Sequence, residues 1–199
     1  MDRDFNIVGV SHELRTPLML ILGPLEMLLA EKKLPSFVQN TLRCIQNNAQ
    51  TLLKHVNDLL NISKLDAGKM ILHYANIDLV KLIQQTIALF EAQIPERKLV
   101  FSMDLPDELQ AQIDPDKIQH ILINILLNAI KFTPQNEKVS IRLVQINPET
   151  CRLQIEDSGT GIPSDLCETI FERFFQIEAP TTWTVGGTRL GLSIAKDFV

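Results

Sequence analysis

Cysteine is scarce: Cys44, Cys151 and Cys167 are three in 199 residues, odd in number and far apart. That excludes a fully paired disulfide framework and any closely spaced zinc motif, and the three read as reduced thiols. Positive charge is also short, since 19 Lys and Arg against 24 Asp and Glu leave a net charge of -5 and a pI near 5.4. A nucleic-acid backbone or an anionic membrane is therefore excluded as the main partner, although converging local donors can still bind a small phosphate. Long apolar runs are missing too. The most apolar stretch, Leu18 to Ala30, contains Gly23, Pro24 and Glu26 and is too short to span a bilayer, and no secretory leader opens the chain. These absences predict a soluble, cytoplasmic piece with no membrane contact of its own, whose parent protein can be membrane-anchored elsewhere. With 45% apolar and 22% charged residues it has enough material for one large or two modest globular domains.

What is present begins with the octet Ser11-His12-Glu13-Leu14-Arg15-Thr16-Pro17-Leu18. Ser11, Leu14, Leu18, Ile21, Leu25 and Leu28 alternate spacings of three and four, the seam of a bundle helix expected from about Arg3 to Glu31. His12 and Thr16 are four apart, just off that seam, and share a wetter face. Pro17 removes a backbone hydrogen bond one turn past His12 and should loosen the helix there; Pro24 can add a second bend. Pro35 and a capping Ser36 separate this helix from a second one, in which Val38, Leu42, Ile45, Ala49, Leu52, Val56 and Leu59 keep the same rhythm to about Leu65. Leu22, Leu29, Leu53 and Leu60 lie beside the two seams and offer more apolar surface than one hairpin covers. A second copy would close a dimeric four-helix bundle, so a homodimer is expected.

Asp66-Ala67-Gly68-Lys69 ends the heptads and divides the chain into a hairpin domain, residues 1–66, and a second domain, residues 67–199. The second domain reads as an α/β sandwich, giving the whole an α+β class. Met70 to Ile77 is a predicted strand and Asp78 caps a helix to about Ile94; Leu99 to Met103 and Ala111 to Asp114 are short strands. The helix from Asp116 to Phe132 has a buried stripe of Ile118, Ile121, Leu122, Ile125 and Leu126, and on another face Asn124, Asn128 and Lys131. Buried asparagines satisfied by backbone are the plain structural reading. The chemical one is that an amide oxygen is a hard magnesium ligand that adds no negative charge beside a triphosphate, while Lys131 meets phosphate directly. Strands Val139 to Ile146 and Cys151 to Asp157 follow; the second puts Cys151, Leu153 and Ile155 into the core and ends its face on Asp157. That carboxylate could accept a hydrogen bond from the adenine amine, with Gly159 and Gly161 letting backbone approach the base. Phe171, Phe174 and Phe175 are core fillers at least in part, and Gly186 to Leu192 reads as a mobile lid opening a last helix, whose free amide groups can hold phosphate.

Taken in order, these segments resemble the H, N, G1, F and G2 boxes of the sensor histidine kinases of two-component systems. In that family a dimerisation and histidine-phosphotransfer hairpin precedes an ATP-binding domain of the gyrase, Hsp90 and MutL type. The resemblance covers nearly the whole chain. It implies His12 as phosphoacceptor, Glu13 as the adjacent base and Thr16 as the residue assisting phosphatase chemistry. For ATP and Mg2+ it implies Asn128 as the metal-binding asparagine, Lys131 on phosphate and Asp157 on adenine. Asn124, Phe132, Gly159, Gly161, Ile162, Phe174, Gly187, Thr188, Arg189, Leu190, Gly191 and Leu192 would complete the pocket. The implied activity is ATP-dependent autophosphorylation of His12 and transfer to a response-regulator receiver aspartate, with phosphatase activity as a second capacity. Two departures stand out. Arg189 replaces a family glycine, and the chain stops at Val199 where the family continues into further strands, as a C-terminal truncation would. The alternative function is therefore a degenerate kinase acting as a non-enzymatic dimerisation and signalling module. A nucleotide titration separates the two readings, with Arg189→Gly restoring binding if the second holds.

Overall fold

Heptad spacing on both sides of Pro35 produces two helices. The computed structural model describes residues 7–31, 34–176 and 190–198, with side chains from residue 13 onward. Helix α1 spans Ile7–Ala30 and continues through Pro17 and Pro24, and α2 spans Ser36–Asp66. The described residues gather into two units, one of residues up to Met70 together with Leu190 and one of residues from Ile71 together with those from Gly191.

In the first unit α1 and α2 pack as a hairpin. The α1 side chains buried there are Leu18, Leu22 and Leu25, with Leu29 half-buried. Leu18 and Leu25 belong to the seam read from the sequence, but its other members Leu14, Ile21 and Leu28 remain 44%, 46% and 41% exposed. On α2 the buried side chains are Ala49, Asp58, Leu60 and Ile62, while Ile45, Leu52 and Leu59 are exposed. The predicted seam is thus split: Leu18, Leu25 and Ala49 lie inside the hairpin together with Leu22 and Leu60 from beside it, while the alternate seam residues face outward. Heptad spacing marks an apolar face without saying which partner covers it. Ser36 is not the N-cap either. It is the first helical residue, after the extended Pro35, whose carbonyl accepts from Gln39 N–H at 3.0 Å. At the other end Gly68, at φ 62, allows Gly68 N–H and Lys69 N–H to reach the carbonyls of Leu65 and Lys64, both at 2.9 Å, a helix stop where one was expected.

The second unit opens on β1, Ala75–Asp78, paired antiparallel with β3, Gln110–Ile113. The expected strand from Met70 shortens because the four-residue β3 offers no partner before Ala75; instead His73 N–H donates to the Asp114 carboxylate at 2.8 Å. Asp78 caps α3, Leu79–Ala88, by accepting from Val80 N–H. That helix ends earlier than expected, in tightened i to i+3 bonds that accompany the buried Phe90, and a short α4 follows at Gln93–Glu96. Strands β2, Val100–Asp104, β4, Lys138–Asn147, and β5, Thr150–Asp157, form a sheet of order β2-β4-β5, parallel between β2 and β4 and antiparallel between β4 and β5. Helix α5, Pro115–Phe132, is capped by Asp114, and α6, Gly191–Asp197, packs on it. The core joins Val80, Ile83 and Ile87 of α3, Leu122, Leu126 and Ile130 of α5, and Val139, Ile141 and Leu143 of β4; Cys151, Leu153 and Ile155 pack against it as their alternation requires.

Asp114 ties three segments at once. Burial alone would raise its carboxyl, but N–H donation from His73 and Lys117, and the Lys117 charge, hold it below the ordinary carboxylate range. A group whose folded value is depressed adds stability that is present above the unfolded value and is lost as pH falls through the folded one. Asp114→Ala should therefore cost about 2 kcal/mol at pH 7, the scale of a lost cap, and progressively less as pH falls below the ordinary carboxylate range. Melting curves measured across that fall in pH check this.

Candidate functional site

On α1 the side chain of His12 lies outside the described residues, as do Gly187, Thr188 and Arg189. Glu13 and Thr16 are exposed and, with Pro17 and Leu20, line an open groove of about 460 Å3. Arg15 turns the other way and donates to Asn57 Oδ1 on α2 at 2.9 Å, a contact that helical spacing does not reveal.

In the second unit, helical periodicity puts Asn124, Asn128 and Lys131 along one side of α5. Asn124 is only 4% exposed, more buried than Ile121 or Ile125 of the expected stripe, because α6 lies over it. A Cβ on Gly191 would come within 3.1 Å of the Asn124 amide, so the absence of a side chain there sets how closely α6 approaches. Asn128 and Lys131 are half-buried, and Lys131 Nζ stands 4.9 Å from the centre of the Phe132 ring. Burial lowers the Lys131 ammonium below its ordinary value.

The turn after β5 is held against the end of the same helix. Gly159 N–H donates to Asp157 Oδ1 at 2.9 Å, and a Cβ at Gly159 would lie 2.6 Å from that oxygen and 2.9 Å from the Phe132 carbonyl oxygen. Only glycine fits. Gly161 follows at φ 71. Ser158 supports the turn from the other side: its hydroxyl donates to Glu137 Oε2 and accepts from Lys138 N–H, each at 2.8 Å. Its place between Asp157 and Gly159 is the sequence signal for this role, which glycine spacing alone does not reveal. Asp157 is exposed, as are Ile162 at 46%, Phe132 at 38% and Phe174 at 61%. Phe174 is thus not core, and its φ of 64 aims the chain into a conformation rare for an aromatic residue. Phe171 and Phe175 are half-buried. Arg173 pairs with Asp197 at 3.5 Å and Lys196 Nζ lies 5.5 Å from the Phe171 ring centre, joining this segment to α6. Leu190 is buried and Leu192 half-buried. A separate hollow of about 260 Å3 on the sheet, lined by Asp104, Arg142, Gln154 and Glu156 among others, contains none of the predicted site residues.

Gly159→Ala should displace Asp157 or the end of α5. The expected cost is about 1–3 kcal/mol of stability, as for other overpacking changes, together with an at least tenfold weaker nucleotide affinity. Melting and nucleotide titration measure the two effects, and unchanged affinity would remove Asp157 from the base-reading role.

Two family models match. Residues 7–68 match the His Kinase A (phospho-acceptor) domain, and residues 113–199 match the histidine kinase-, DNA gyrase B- and HSP90-like ATPase. The chain is 44% identical over 196 residues to hybrid signal transduction histidine kinase D of Dictyostelium discoideum, covering 96% of itself and 13% of that protein. It is 42% identical over 191 residues to sensor histidine kinase TmoS of Ectopseudomonas mendocina, covering 96% of itself and 20% of that protein. It therefore spans a small part of the length of these curated relatives. Among solved structures, full-length ShkA in complex with AMPPNP superposes with a TM-score of 0.74 at 28% identity, covering 97% of this chain and 40% of that one. Histidine kinase ThkA in complex with response regulator protein TrrA gives 0.57 at 28% identity, covering 85% and 49%. A phosphoacceptor-type helical hairpin followed by an ATPase-type α/β unit, with the ATP-binding capability of that type, is the class so defined. The chain belongs to the histidine kinase family of two-component signal transduction. Among the described residues no helix is long and apolar enough to cross a membrane.

Proposed function

We propose that this chain is a protein histidine kinase core in which residues 1–66 dimerise and carry the phosphoacceptor, and residues 67–199 bind ATP. The observation that carries the nucleotide site is the Gly159 contact with the Phe132 carbonyl, which joins the Asp157 turn to the helix bearing Asn124, Asn128 and Lys131. Asp157 accepts a hydrogen bond from the adenine amine. Lys131 meets phosphate, its partial burial favouring an anionic partner over water.

The residues present fit magnesium carried in on the nucleotide. Among the described residues no cluster of three His, Cys, Asp or Glu could cage a metal, and the half-buried Asn128 provides one hard, neutral oxygen. When bound, the ion would offset charge on the phosphates. The reaction proper belongs to His12. Its ring nitrogen forms an N–P bond to the γ-phosphorus as the bond to the bridging oxygen breaks; ADP leaves with that electron pair, and Glu13 takes the ring proton. The phosphoryl group then passes to a carboxylate oxygen of a response-regulator receiver, a partner of the kind seen with ThkA. The exposed Thr16, on the groove beside Glu13, orients a water for the separate phosphatase reaction, in which that water attacks the receiver's acyl phosphate and inorganic phosphate leaves the freed carboxylate. This reading places the reaction in the cytoplasm, where ATP is supplied.

Incubation with ATP labelled at the γ-phosphate tests the reading directly. A label that survives base and is lost in acid is expected; no label on a chain that binds ATP would reject it.

The dimer is supported by two exposed ladders at seven-residue spacing, Leu14, Ile21 and Leu28 on α1 and Ile45, Leu52 and Leu59 on α2. A second hairpin would cover them. Leu52→Glu, and charge at Val56, should dissociate the pair. Each substitution acts twice in a two-fold dimer, at about 2 kcal/mol per buried leucine, so the dissociation constant should rise at least a hundredfold. Light scattering over a concentration series measures it, and a stable monomer of the unmodified chain would remove the four-helix bundle.

A further inference from the structure

Pro17 has no N–H to give the Glu13 carbonyl, so the helical turn after His12 has lost one of its own bonds. Among residues 13–17 of that turn, Glu13, Leu14, Thr16 and Pro17 are exposed; Arg15 alone is turned inward, half-buried, with Nη2 donating to Asn57 Oδ1 at 2.9 Å. The next α1 residue anchored by packing is Leu18. On the α2 side the anchor is firm. Asn57 is followed by Asp58, which is fully enclosed, and by the buried Leu60 and Ile62.

We propose that Asn57 is a positioning residue for phosphoryl transfer: through Arg15 it fixes the rotation of the turn that Pro17 has loosened, and so aims His12 along the line of attack. This rests on the reading of His12 as the phosphoacceptor. A guanidinium presents its N–H groups in a rigid plane, so a bond from Arg15 constrains direction as well as distance. In-line transfer is sensitive to that direction, and misplacement of an attacking atom by about 1 Å can cost a hundredfold in rate. The pair makes no demand on ATP binding, so its loss should appear in kcat and not in KM.

The test measures autophosphorylation kcat, KM for ATP and melting temperature on the full chain carrying Asn57→Leu, Asn57→Asp, Arg15→Gln and the Asn57→Leu/Arg15→Gln pair. Asn57→Leu and Arg15→Gln should each lower kcat about tenfold with KM within about twofold, and the double variant should fall no further than the worse single one, as for two residues acting through one bond. Asn57→Asp, which keeps the accepting oxygen, should retain most of the rate. If Asn57→Leu does not fold, Arg15→Gln and Asn57→Asp carry the comparison. A kcat unchanged in Arg15→Gln, additive losses in the double variant, or a loss in Asn57→Asp equal to that in Asn57→Leu would overturn the proposal. Failure of the underlying reading looks different, because the unmodified chain would then take no label that depends on His12.

Discussion

His12→Gln should reduce the acid-labile label to background, while Mg-ATP affinity stays within about twofold and the melting temperature within a few degrees. Glutamine keeps a polar side chain of useful length and favours helix, so the substitution has little reason to disturb α1. What it removes is the nucleophile. An amide nitrogen has its lone pair delocalised into the carbonyl, whereas a neutral imidazole has a ring nitrogen free to attack phosphorus. Acid lability identifies the bond, because protonation of a phosphorylated imidazole makes the ring a good leaving group, and a phosphate ester on Ser or Thr survives the same treatment. In the proposed site Asn124, Asn128, Lys131 and Asp157 lie in the second unit and His12 in the first, so binding and labelling should separate cleanly. Labelling that persists in His12→Gln with the same acid sensitivity would assign the phosphoacceptor to His55, His73 or His120, the remaining histidines.

The sequence made local geometry legible wherever one residue type serves one purpose. Asp78 precedes a helix because a carboxylate can accept the first free N–H groups, and it does so; Asp114, read as a strand end, caps α5 in the same way. The alternation in β5 predicted which of Cys151, Leu153 and Ile155 meet the core, because a strand has only two faces. Asp157 and Gly159 were found as a spacing, but the reason for the glycine, the Phe132 carbonyl 2.9 Å from where its Cβ would be, comes from an element distant in sequence. The readings that shifted share that origin. Asn124 is buried because α6 lies on it, and β1 is short because β3 is short. Only half of the heptad seam closes within the hairpin, because a heptad cannot distinguish the partner helix in the same chain from one in another. Asn57 was invisible for the same reason: an asparagine on α2 becomes informative only when Arg15 is seen to reach it. The glycine-rich stretch through Arg189 lies outside the described residues.

Asn128→Asp should lower kcat/KM for ATP by at least a hundredfold and leave folding nearly untouched. The exchange replaces an amide nitrogen by oxygen, conserving volume at a half-buried position inside α5, where the neighbouring Leu126, Ala129 and Ile130 carry the packing. Its electrostatic effect is large by comparison. At an effective dielectric of about 20, a new negative charge about 4 Å from a phosphate oxygen costs about 4 kcal/mol before screening. Salt reduces this less in a partly enclosed site than on open surface, so a loss of about 3 kcal/mol, or about a hundredfold, is the expected remainder. Nearby Lys131 does not cancel it, since its charge already serves the phosphates in the proposed complex. The discriminating measurement pairs autophosphorylation kinetics with thermal melting on the same preparation, adding an Asn128→Ala variant that removes the oxygen without adding charge. Asn128→Asp should be the worse of the two in activity and the milder in stability, because alanine leaves a gap where aspartate leaves none. Equal losses of activity and melting temperature in both variants would make Asn128 a structural asparagine and take it out of the metal-binding role.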